Sequence, residues 1–166
     1  MKPSRVTPLE ELPCWLPHGP DMLLVDRVES LAAGQSLVAV HTVRAGEPCF
    51  ATGAAYPPAL VLESMGQAAV LLWMASTTLG VDLIPMLAVV RGFRMFRQVW
   101  TGDALRHRVT LHHRGPASAM VSATSEVRGT VVAQVDSLLA VGRTPAELPT
   151  PACDLRGATT TEENRP

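Results

Sequence analysis

PPALVLESMGQAAVLLWMASTT, residues 57–78, is the stretch of sequence that decides the fold. It is rich in alanine, leucine and methionine and has no proline after its first two residues, so it predicts one long helix. Its apolar side chains cover nearly the whole circumference of that helix, which predicts burial on most sides. Gly80 is expected to end the helix, because glycine is favoured just after a helical C-terminus.

Shorter β-rich runs flank this helix on both sides. Two precede it, joined by the AAG turn at residues 32–34, and four follow it, separated by the turn signals TGD, RGPA and RGT. The runs are residues 22–31, 35–45, 86–99, 104–115, 118–129 and 131–143. A single helix that is apolar all round needs a curved antiparallel sheet wrapped around it, so we expect an α+β fold.

The folded domain is expected to span residues 21–143. Residues 1–20 are rich in proline and predict an irregular lead-in, with a short turn at PLEEL. Residues 144–166 are rich in proline, threonine and acidic side chains without periodicity, which predicts a flexible tail. A second subunit often closes the open edges of a curved sheet, so we expect dimerisation edge to edge.

The composition excludes several classes of protein. A chain of 166 residues with a formal net charge of −1 suits one domain and lacks the positive charge of a basic nucleic-acid-binding protein. Cys14, Cys49 and Cys153 lie too far apart for a CxxC metal site, so we expect neither a metal nor another cofactor. The N-terminus lacks the apolar core of a signal peptide, and the longest apolar run, residues 68–75, is too short to cross a membrane. We therefore expect a cytoplasmic protein without membrane contact.

A carboxylate and an amide interrupt the apolar helix. Glu63 and Gln67 stand four residues apart and so share one helical face. Burying an ionised carboxylate without partners is costly, so Glu63 needs a partner. Two interpretations stay open from the spacing. Glu63 is either an acid paired with an arginine such as Arg91, Arg94 or Arg97, or a catalytic acid or base.

The histidines predict no metal site, because none stands at helical spacing from a carboxylate. They are His18, His41, His107, His112 and His113. His18 lies in a loop rich in proline and glycine, where its simplest role is a hydrogen bond to the backbone. His41 lies within a strand, and the other three lie in a basic strand that is expected to be exposed. Ser64 has no histidine near it in the sequence, which argues against a serine hydrolase.

Three motifs occur in an order and spacing that resemble one protein family. They are LPHGPDMLLVDRV at residues 16–28, PPALVLESMGQ at residues 57–67 and VVRGFRMFRQVWTGDAL at residues 89–105. Together they resemble the hot-dog-fold 3-hydroxyacyl-acyl-carrier-protein dehydratases of fatty-acid and polyketide synthesis. The resemblance implies a hot-dog fold, in which an antiparallel sheet wraps one long central helix and two subunits join edge to edge.

The resemblance also implies roles for individual residues. In this family a histidine from one subunit and an acid from the partner's central helix remove water from a 3-hydroxyacyl chain carried by acyl carrier protein. Glu63 matches the family acid and Gln67 its supporting glutamine, while His18 belongs to the N-terminal motif. The helix N-terminus, here at Pro58 and Ala59, would polarise the thioester carbonyl, because its N–H groups face a developing negative charge.

The sequence departs from the family at two catalytic parts. The family's histidine-phenylalanine-proline-glycine loop is replaced by the shorter ATGAAY at residues 51–56, which has no histidine. Pro58 stands in place of a glycine whose N–H meets the carbonyl, and proline has no N–H. We therefore expect a dehydratase-like subunit that is incomplete alone and supplies Glu63 to a histidine-bearing partner in a heterodimer.

Three alternatives remain open from the sequence. A self-sufficient homodimer would need His18 or His41 in the place of the missing base. A non-catalytic subunit would bind acyl thioesters or act as a scaffold, with Glu63 as a relic or an interface contact. A hot-dog thioesterase would use the acid for hydrolysis, although the N-terminal motif and Gln67 argue against it.

Overall fold

The computed structural model describes residues 9–47, 53–77 and 83–147, which contain one α-helix and seven strands. The helix, α1, is Pro58–Ser76, and short 3₁₀ segments lie at Leu9–Trp15, Pro20–Met22 and Pro145–Glu147. The strands are β1 Arg27–Ala32, β2 Ser36–Thr42, β3 Ile84–Arg91, β4 Arg94–Met95, β5 Ala104–Arg114, β6 Ser118–Val127 and β7 Thr130–Arg143.

The described strands form one antiparallel sheet that curves around the helix. Their order is β1-β2-β5-β6-β7-β3, and β4 also pairs with β7. Helix α1 packs against β2, β5, β6 and β7, where side chains such as Val61, Met65 and Leu71 are fully buried. Because apolar side chains surround the helix axis, burying them requires a sheet on several sides. The predicted hot-dog fold is confirmed.

The central helix is also long and apolar enough to cross a membrane, by length and composition alone. However, 67% of its most apolar window is buried inside the domain. Such burial is typical of a core helix, whose apolar side chains are already removed from water by the sheet. The fold therefore accounts for the hydropathy of this segment.

Helix α1 ends close to the predicted positions. Pro57 stands just before it, and the N–H of Leu60 donates to the Pro57 carbonyl at 3.0 Å. At the other end, the Ser76 carbonyl accepts a hydrogen bond from the Arg114 side chain, which satisfies one of the open carbonyls of a helical C-terminus. Gly80, the predicted end of the helix, lies outside the described residues.

The first predicted strand, residues 22–31, is shorter than expected, since β1 begins only at Arg27. The backbone of Leu24, three residues before it, pairs with side chains of the helix instead of with a strand. The Leu24 N–H donates to Gln67 Oε1 at 2.8 Å, and the Leu24 carbonyl accepts from the Ser64 hydroxyl at 2.5 Å. These buried bonds attach the segment directly to α1.

The predicted strand at residues 86–99 is interrupted at Gly92. β3 ends one residue before it, and β4 begins two residues after it. Gly92 has a φ of 64°, and a Cβ atom there would collide with the Asp136 carboxylate. Only glycine satisfies both conditions, so this residue fixes the break between the two strands.

Strand β3 forms an edge of the sheet and exposes apolar side chains. Met86, Leu87, Val89 and Val90 are each 37–43% exposed. Successive residues of a strand point to opposite faces, so both faces of β3 are apolar. Such an edge favours pairing with another chain, and the edge-to-edge dimer stays a prediction.

The two ends of the domain carry short ordered turns. A 3₁₀ segment at Leu9–Trp15 occupies part of the expected irregular lead-in. At the other end, Glu147 Oε2 accepts a hydrogen bond from the Thr144 N–H at 2.8 Å, so the start of the predicted flexible tail forms a turn. Residues 1–8 and 148–166 lie outside the described residues.

Candidate active site

Glu63 lies where the helix passes from open surroundings into the core. Its side chain is 35% exposed, and Pro58 and Ala59, about one turn earlier, are exposed as well. Every residue from Ser64 to Trp73 is buried. Glu63 is therefore an acid that a substrate can reach, carried on a helix that the core holds rigidly.

Two donors hold one oxygen of the Glu63 carboxylate. Gln67 Nε2 lies 3.0 Å and His18 Nε2 3.2 Å from Glu63 Oε1. We call these three residues the Glu63 cluster. Among the described residues, Oε2 has no hydrogen-bond partner, so this oxygen is the one available for chemistry. The fold thus brings together the three side chains that the sequence singles out.

Buried hydrogen bonds fix the Gln67 side chain. Its Oε1 accepts from the Leu24 N–H, and its Nε2 donates to the Met22 carbonyl, both at 2.8 Å. The amide orientation is therefore defined at both ends, and the remaining N–H must point towards Glu63, which accepts. This geometry suits the supporting role that the resemblance implies for Gln67.

His18 contacts Glu63 instead of forming the expected hydrogen bond to the backbone. Because Glu63 Oε1 accepts, Nε2 of a neutral ring carries the hydrogen and Nδ1 is the bare nitrogen. Nδ1 is buried and has no hydrogen-bond partner within the described part of the chain. Neither nitrogen is therefore free to take a proton from a substrate, and His18 is placed to orient the carboxylate.

His107 is buried, which corrects the expectation that its strand is exposed along its whole length. The ring lies between two hydroxyls, with Nε2 2.7 Å from Ser64 Oγ and Nδ1 2.7 Å from Ser125 Oγ. The fold thus supplies Ser64 with a histidine that the sequence does not place near it. Burial, and then repulsion from His41, lower the pKa of His107 to about 3, so this ring is neutral at neutral pH.

Ser64 and His107 nevertheless do not form the nucleophile and base of a hydrolase. Ser64 Oγ also lies 2.5 Å from the Leu24 carbonyl, which can only accept, so the hydroxyl hydrogen points there. His107 must then donate to Ser64 instead of removing its proton. Ser64 is also fully buried, so no substrate reaches it.

Within the described residues of one chain, Glu63 pairs with His18 and Gln67 and not with an arginine. Arg94 binds Asp136 at 2.6 Å, and no described arginine forms an ion pair with Glu63. His112 and His113 are exposed, as expected, and His112 Nε2 lies 2.7 Å from Ser122 Oγ on the outer face of the sheet. In residues 9–47, 53–77 and 83–147, no group of three acidic, histidine or cysteine side chains could hold a metal ion.

A second polar group surrounds His41 at the end of β2. His41 Nε2 lies 3.3 Å from Glu47 Oε2 and 3.2 Å from the Tyr56 hydroxyl, which itself donates to Glu47 at 2.7 Å. Asp26 Oδ1 lies 3.7 Å from His41 Nδ1 and 2.9 Å from the Arg44 guanidinium. We call these five residues the Glu47 cluster. His41 is completely enclosed by it, so its ring is closed to a substrate.

The protonation states in the Glu47 cluster follow from its hydrogen bonds. Burial disfavours the ionised form of Asp26, but the nearby His41 ring, a hydrogen bond from the Thr42 N–H and the Arg44 guanidinium outweigh it and hold the pKa of that carboxyl well below its usual range. Burial, and then the Glu47 carboxylate, raise the pKa of the Tyr56 hydroxyl well above its usual value. At neutral pH Asp26 is therefore a charged acceptor and Tyr56 a protonated donor.

The first turn of α1 has one open backbone donor. Pro57 and Pro58 have no N–H, and the N–H groups of Leu60 and Val61 both donate to the Pro57 carbonyl. The Ala59 N–H has no acceptor among the described residues. A groove of about 320 Å³ passes this end of the helix at Pro58, and the neighbouring Ala59 is exposed.

Sequence comparisons place this chain in a protein family. The FabA-like domain matches residues 16–136 of the chain. The 3-hydroxyacyl-[acyl-carrier-protein] dehydratase FabZ of Nitrosospira multiformis is 32% identical over 140 residues, which cover 80% of this chain and 95% of that protein. The FabZ dehydratase of Anaeromyxobacter sp. strain Fw109-5 is 34% identical over 140 residues, which cover 80% and 89%.

Solved structures share the fold. The dehydratase heterocomplex ApeI:P from Xenorhabdus doucetiae gives a TM-score of 0.72 at 19% identity, covering 86% of this chain and 95% of the matched chain. A hypothetical thioesterase with coenzyme A from Streptococcus pneumoniae TIGR4 gives a TM-score of 0.56 at 10% identity, covering 70% and 84%. These likenesses show the hot-dog fold, and the extent of the sequence matches shows that the chain belongs to the FabA-like family.

Proposed function

We propose that this protein is a dehydratase-like subunit that acts on 3-hydroxyacyl chains bound as thioesters to acyl carrier protein. Glu63 is the proton donor, and a second hot-dog subunit in a heterodimer supplies the histidine base. The reaction belongs to fatty-acid or polyketide synthesis in the cytoplasm. The observation that carries this proposal is the Glu63 cluster, in which two donors hold one carboxylate oxygen and the other stays open.

The relatives support the substrate class and the partnership. Dehydratases named for 3-hydroxyacyl-[acyl-carrier-protein] align with 80% of the chain at 32% and 34% identity. One structure with the same fold is named a dehydratase heterocomplex, which supports an assembly of two different chains. The exposed apolar side chains of β3 provide a surface on which such a partner can pair.

Dehydration changes bonds on two adjacent carbons. The base removes a proton from the carbon beside the thioester carbonyl. The electron pair of the broken C–H bond forms the new double bond as the C–O bond of the 3-hydroxyl breaks. The leaving oxygen takes a proton from Glu63 Oε2 and departs as water. Gln67 and His18 keep Oε1 in place throughout, which preserves the alignment of the acid. The open Ala59 N–H is available to the thioester carbonyl, where negative charge develops.

The arrangement of the histidines favours a base from another chain. His18 uses Nε2 to bind Glu63, and its Nδ1 is buried. His41 is enclosed by the Glu47 cluster. Neither candidate of this chain therefore presents a free ring nitrogen beside Glu63, and a partner's histidine supplies the missing function.

Reconstitution with purified proteins tests the proposal. The protein is assayed alone, and then with a histidine-bearing hot-dog protein of the same organism, for formation of the enoyl product from 3-hydroxyacyl-acyl carrier protein. We expect turnover only from the complex, and a loss of about 10²–10⁴-fold with Glu63→Gln. Turnover by the protein alone that disappears in Glu63→Gln would contradict the need for a partner. A fully active Glu63→Gln complex would instead indicate a non-catalytic acyl-binding subunit.

A self-sufficient homodimer is the second candidate, because His18 and Glu63 already lie 3.2 Å apart in one chain. In that case the pair separates when substrate binds, the ring hydrogen of His18 moves to Nδ1, and the bare Nε2 takes the α-proton. The protein alone would then dehydrate the substrate, and His18→Asn would abolish that activity. The same assay checks for a thioesterase, which would release a free acid and a thiol instead of the enoyl thioester.

A further inference from the structure

We propose that Ser64 and His107 are positioning residues that hold the His18 segment against Glu63. Neither side chain can touch a substrate, since both are fully buried between the helix and the sheet. They lie at one end of a continuous set of hydrogen bonds that ends at the Glu63 carboxylate. This inference rests on the proposed function, because it concerns the geometry of the acid that the function requires.

The set of bonds begins on β6 and crosses the core. Ser125 Oγ lies 2.7 Å from His107 Nδ1, and His107 Nε2 lies 2.7 Å from Ser64 Oγ. The Ser64 hydroxyl donates to the Leu24 carbonyl at 2.5 Å. Strands β5 and β6 and the helix are thereby connected to the segment that carries His18.

From Leu24 the set of bonds continues to the carboxylate. The Leu24 N–H donates to Gln67 Oε1, and Gln67 Nε2 donates to both the Met22 carbonyl and Glu63 Oε1. His18, four residues before Met22, binds the same oxygen of Glu63. Both donors to Glu63 therefore depend on where the backbone of residues 22–24 lies.

The direction of every hydrogen in this set is determined. The Leu24 carbonyl can only accept, so Ser64 donates to it and accepts from His107 Nε2. A neutral His107 then has a bare Nδ1, which accepts from the Ser125 hydroxyl. Only one tautomer of His107 fits, and the bond from Ser64 to the Leu24 carbonyl selects it. Without Ser125, His107 Nδ1 would be a buried acceptor that has lost its partner.

The same pair of strands offers a matched control on its outer face. His112 Nε2 lies 2.7 Å from Ser122 Oγ, the same distance as in the buried pair. Both of these residues lie on the side of the sheet that faces away from the helix, and the Ser122–His112 bond is exposed. Removing the Ser122 hydroxyl deletes a serine–histidine bond from β6 without touching the helix.

The test compares Ser64→Ala, Ser125→Ala and Ser122→Ala in the reconstituted complex. We expect Ser64→Ala to lower kcat by up to about 100-fold with little change in KM, because small misplacement of a catalytic group has this effect. Ser125→Ala is expected to lower kcat less, and Ser122→Ala not at all. Equal kcat in Ser64→Ala and wild type, or an equal loss in Ser64→Ala and Ser122→Ala, would overturn the inference.

A second measurement on the full-length protein alone keeps the inference separate from the proposed function. The histidine rings are labelled with ¹⁵N, and the His18 signals are identified by their loss in His18→Asn. We expect the His18 signals to shift in Ser64→Ala and Ser125→Ala but not in Ser122→Ala. Unshifted His18 signals in Ser64→Ala would overturn the positioning role. An inactive wild-type complex would count against the proposed function alone, since the ring signals do not depend on turnover.

Discussion

Two glutamates of this protein each lie beside a histidine, and their surroundings differ. Glu63 Oε1 is 3.2 Å from His18 Nε2, and Glu47 Oε2 is 3.3 Å from His41 Nε2. In the sequence either pair could serve as an acid and its partner. The difference appears only when every oxygen of the two carboxylates is accounted for.

Glu47 uses both of its oxygens inside the fold. Oε1 accepts from the Arg44 N–H at 2.7 Å, and Oε2 accepts from the Tyr56 hydroxyl, while only 10% of the side chain is exposed. Within the described part of the chain, Glu63 forms its contacts through Oε1 alone, and 35% of its side chain is exposed. A carboxylate with both oxygens engaged inside the fold stabilises structure, whereas one with an open oxygen can exchange a proton. The comparison therefore assigns chemistry to Glu63 and structure to Glu47.

The strongest test of this contrast is to remove the negative charge of each glutamate in turn by substituting glutamine. Glu63→Gln should lower the activity of the reconstituted complex by about 10²–10⁴-fold, because an amide cannot donate an acidic proton. Glu47→Gln, measured in the same assay on folded protein, should keep wild-type kcat. A comparable loss of kcat in both variants would mean that the two carboxylates do not differ in function.

The second prediction concerns stability against pH and uses the buried His107. In the native protein its pKa is lowered to about 3, from 6.5 in the absence of the fold, so the unfolded chain binds more protons in this window. The contribution of His107 to the free energy of unfolding is fully present above pH 6.5 and decreases as the pH falls towards 3. The slope should reach about 1.4 kcal/mol per pH unit for one proton.

Urea unfolding at pH 6 and pH 4.5 measures this slope, in a range where Asp26 still keeps most of its stabilising contribution, which is lost mainly at lower pH. His107→Gln should show a smaller loss of unfolding free energy between the two pH values than wild type. His112→Gln, on the exposed face of the same strand, is the matched control and should follow wild type. An unchanged slope in His107→Gln would mean that the ring is not held neutral by burial.

The third prediction compares the same two variants by their stability instead of their activity, and here the larger effect is expected at Glu47. Glu47→Gln should lower the free energy of unfolding by about 1.5–3 kcal/mol, because hydrogen bonds from Arg44 and Tyr56 lose a charged acceptor. Glu63→Gln should have a much smaller effect, since its carboxylate is partly exposed and keeps an acceptor oxygen. Chemical denaturation of the two variants measures these free energies of unfolding. An equal loss of stability in both would contradict the assignment of a structural role to Glu47 alone.

The fold could be predicted because it depends on patterns that lie close together in the sequence. The apolar circumference of residues 57–78 required a sheet on several sides, and turn signals separated the strands. The start of β1 could not be predicted in this way. Residues 22–26 have the composition of a strand, but Ser64 and Gln67, about forty positions away, take the hydrogen bonds of Leu24.

The candidate site was predictable only in part, for the same reason. Spacing on one helix placed Glu63 and Gln67 together, whereas the contact of His18 with Glu63 depends on how a distant loop crosses the helix. The burial of His107 had a local signal that the basic character of its strand concealed. It shares a face with Leu105 and Val109, and this alternation indicates an inward side chain.

The smallest predicted effect comes from Gly66, which lies in α1 between Glu63 and Gln67. Glycine within a helix costs about 0.8–1.0 kcal/mol relative to alanine. A Cβ atom at Gly66 would lie 3.6 Å from the Leu87 side chain, an ordinary van der Waals contact. Gly66→Ala should therefore raise the free energy of unfolding by up to about 1 kcal/mol in urea denaturation.

Gly92→Ala is the matched control for this substitution, because its positive φ and the Asp136 carboxylate leave no room for a Cβ, and it should lower stability. The complex should keep its activity with Gly66→Ala, since the added methyl group contacts Leu87 and leaves the bonds of Glu63 intact. Lost activity with a gain in stability would show that the helix must deform during turnover. The rigid support proposed for Glu63 would then be wrong, even if the acid itself is essential.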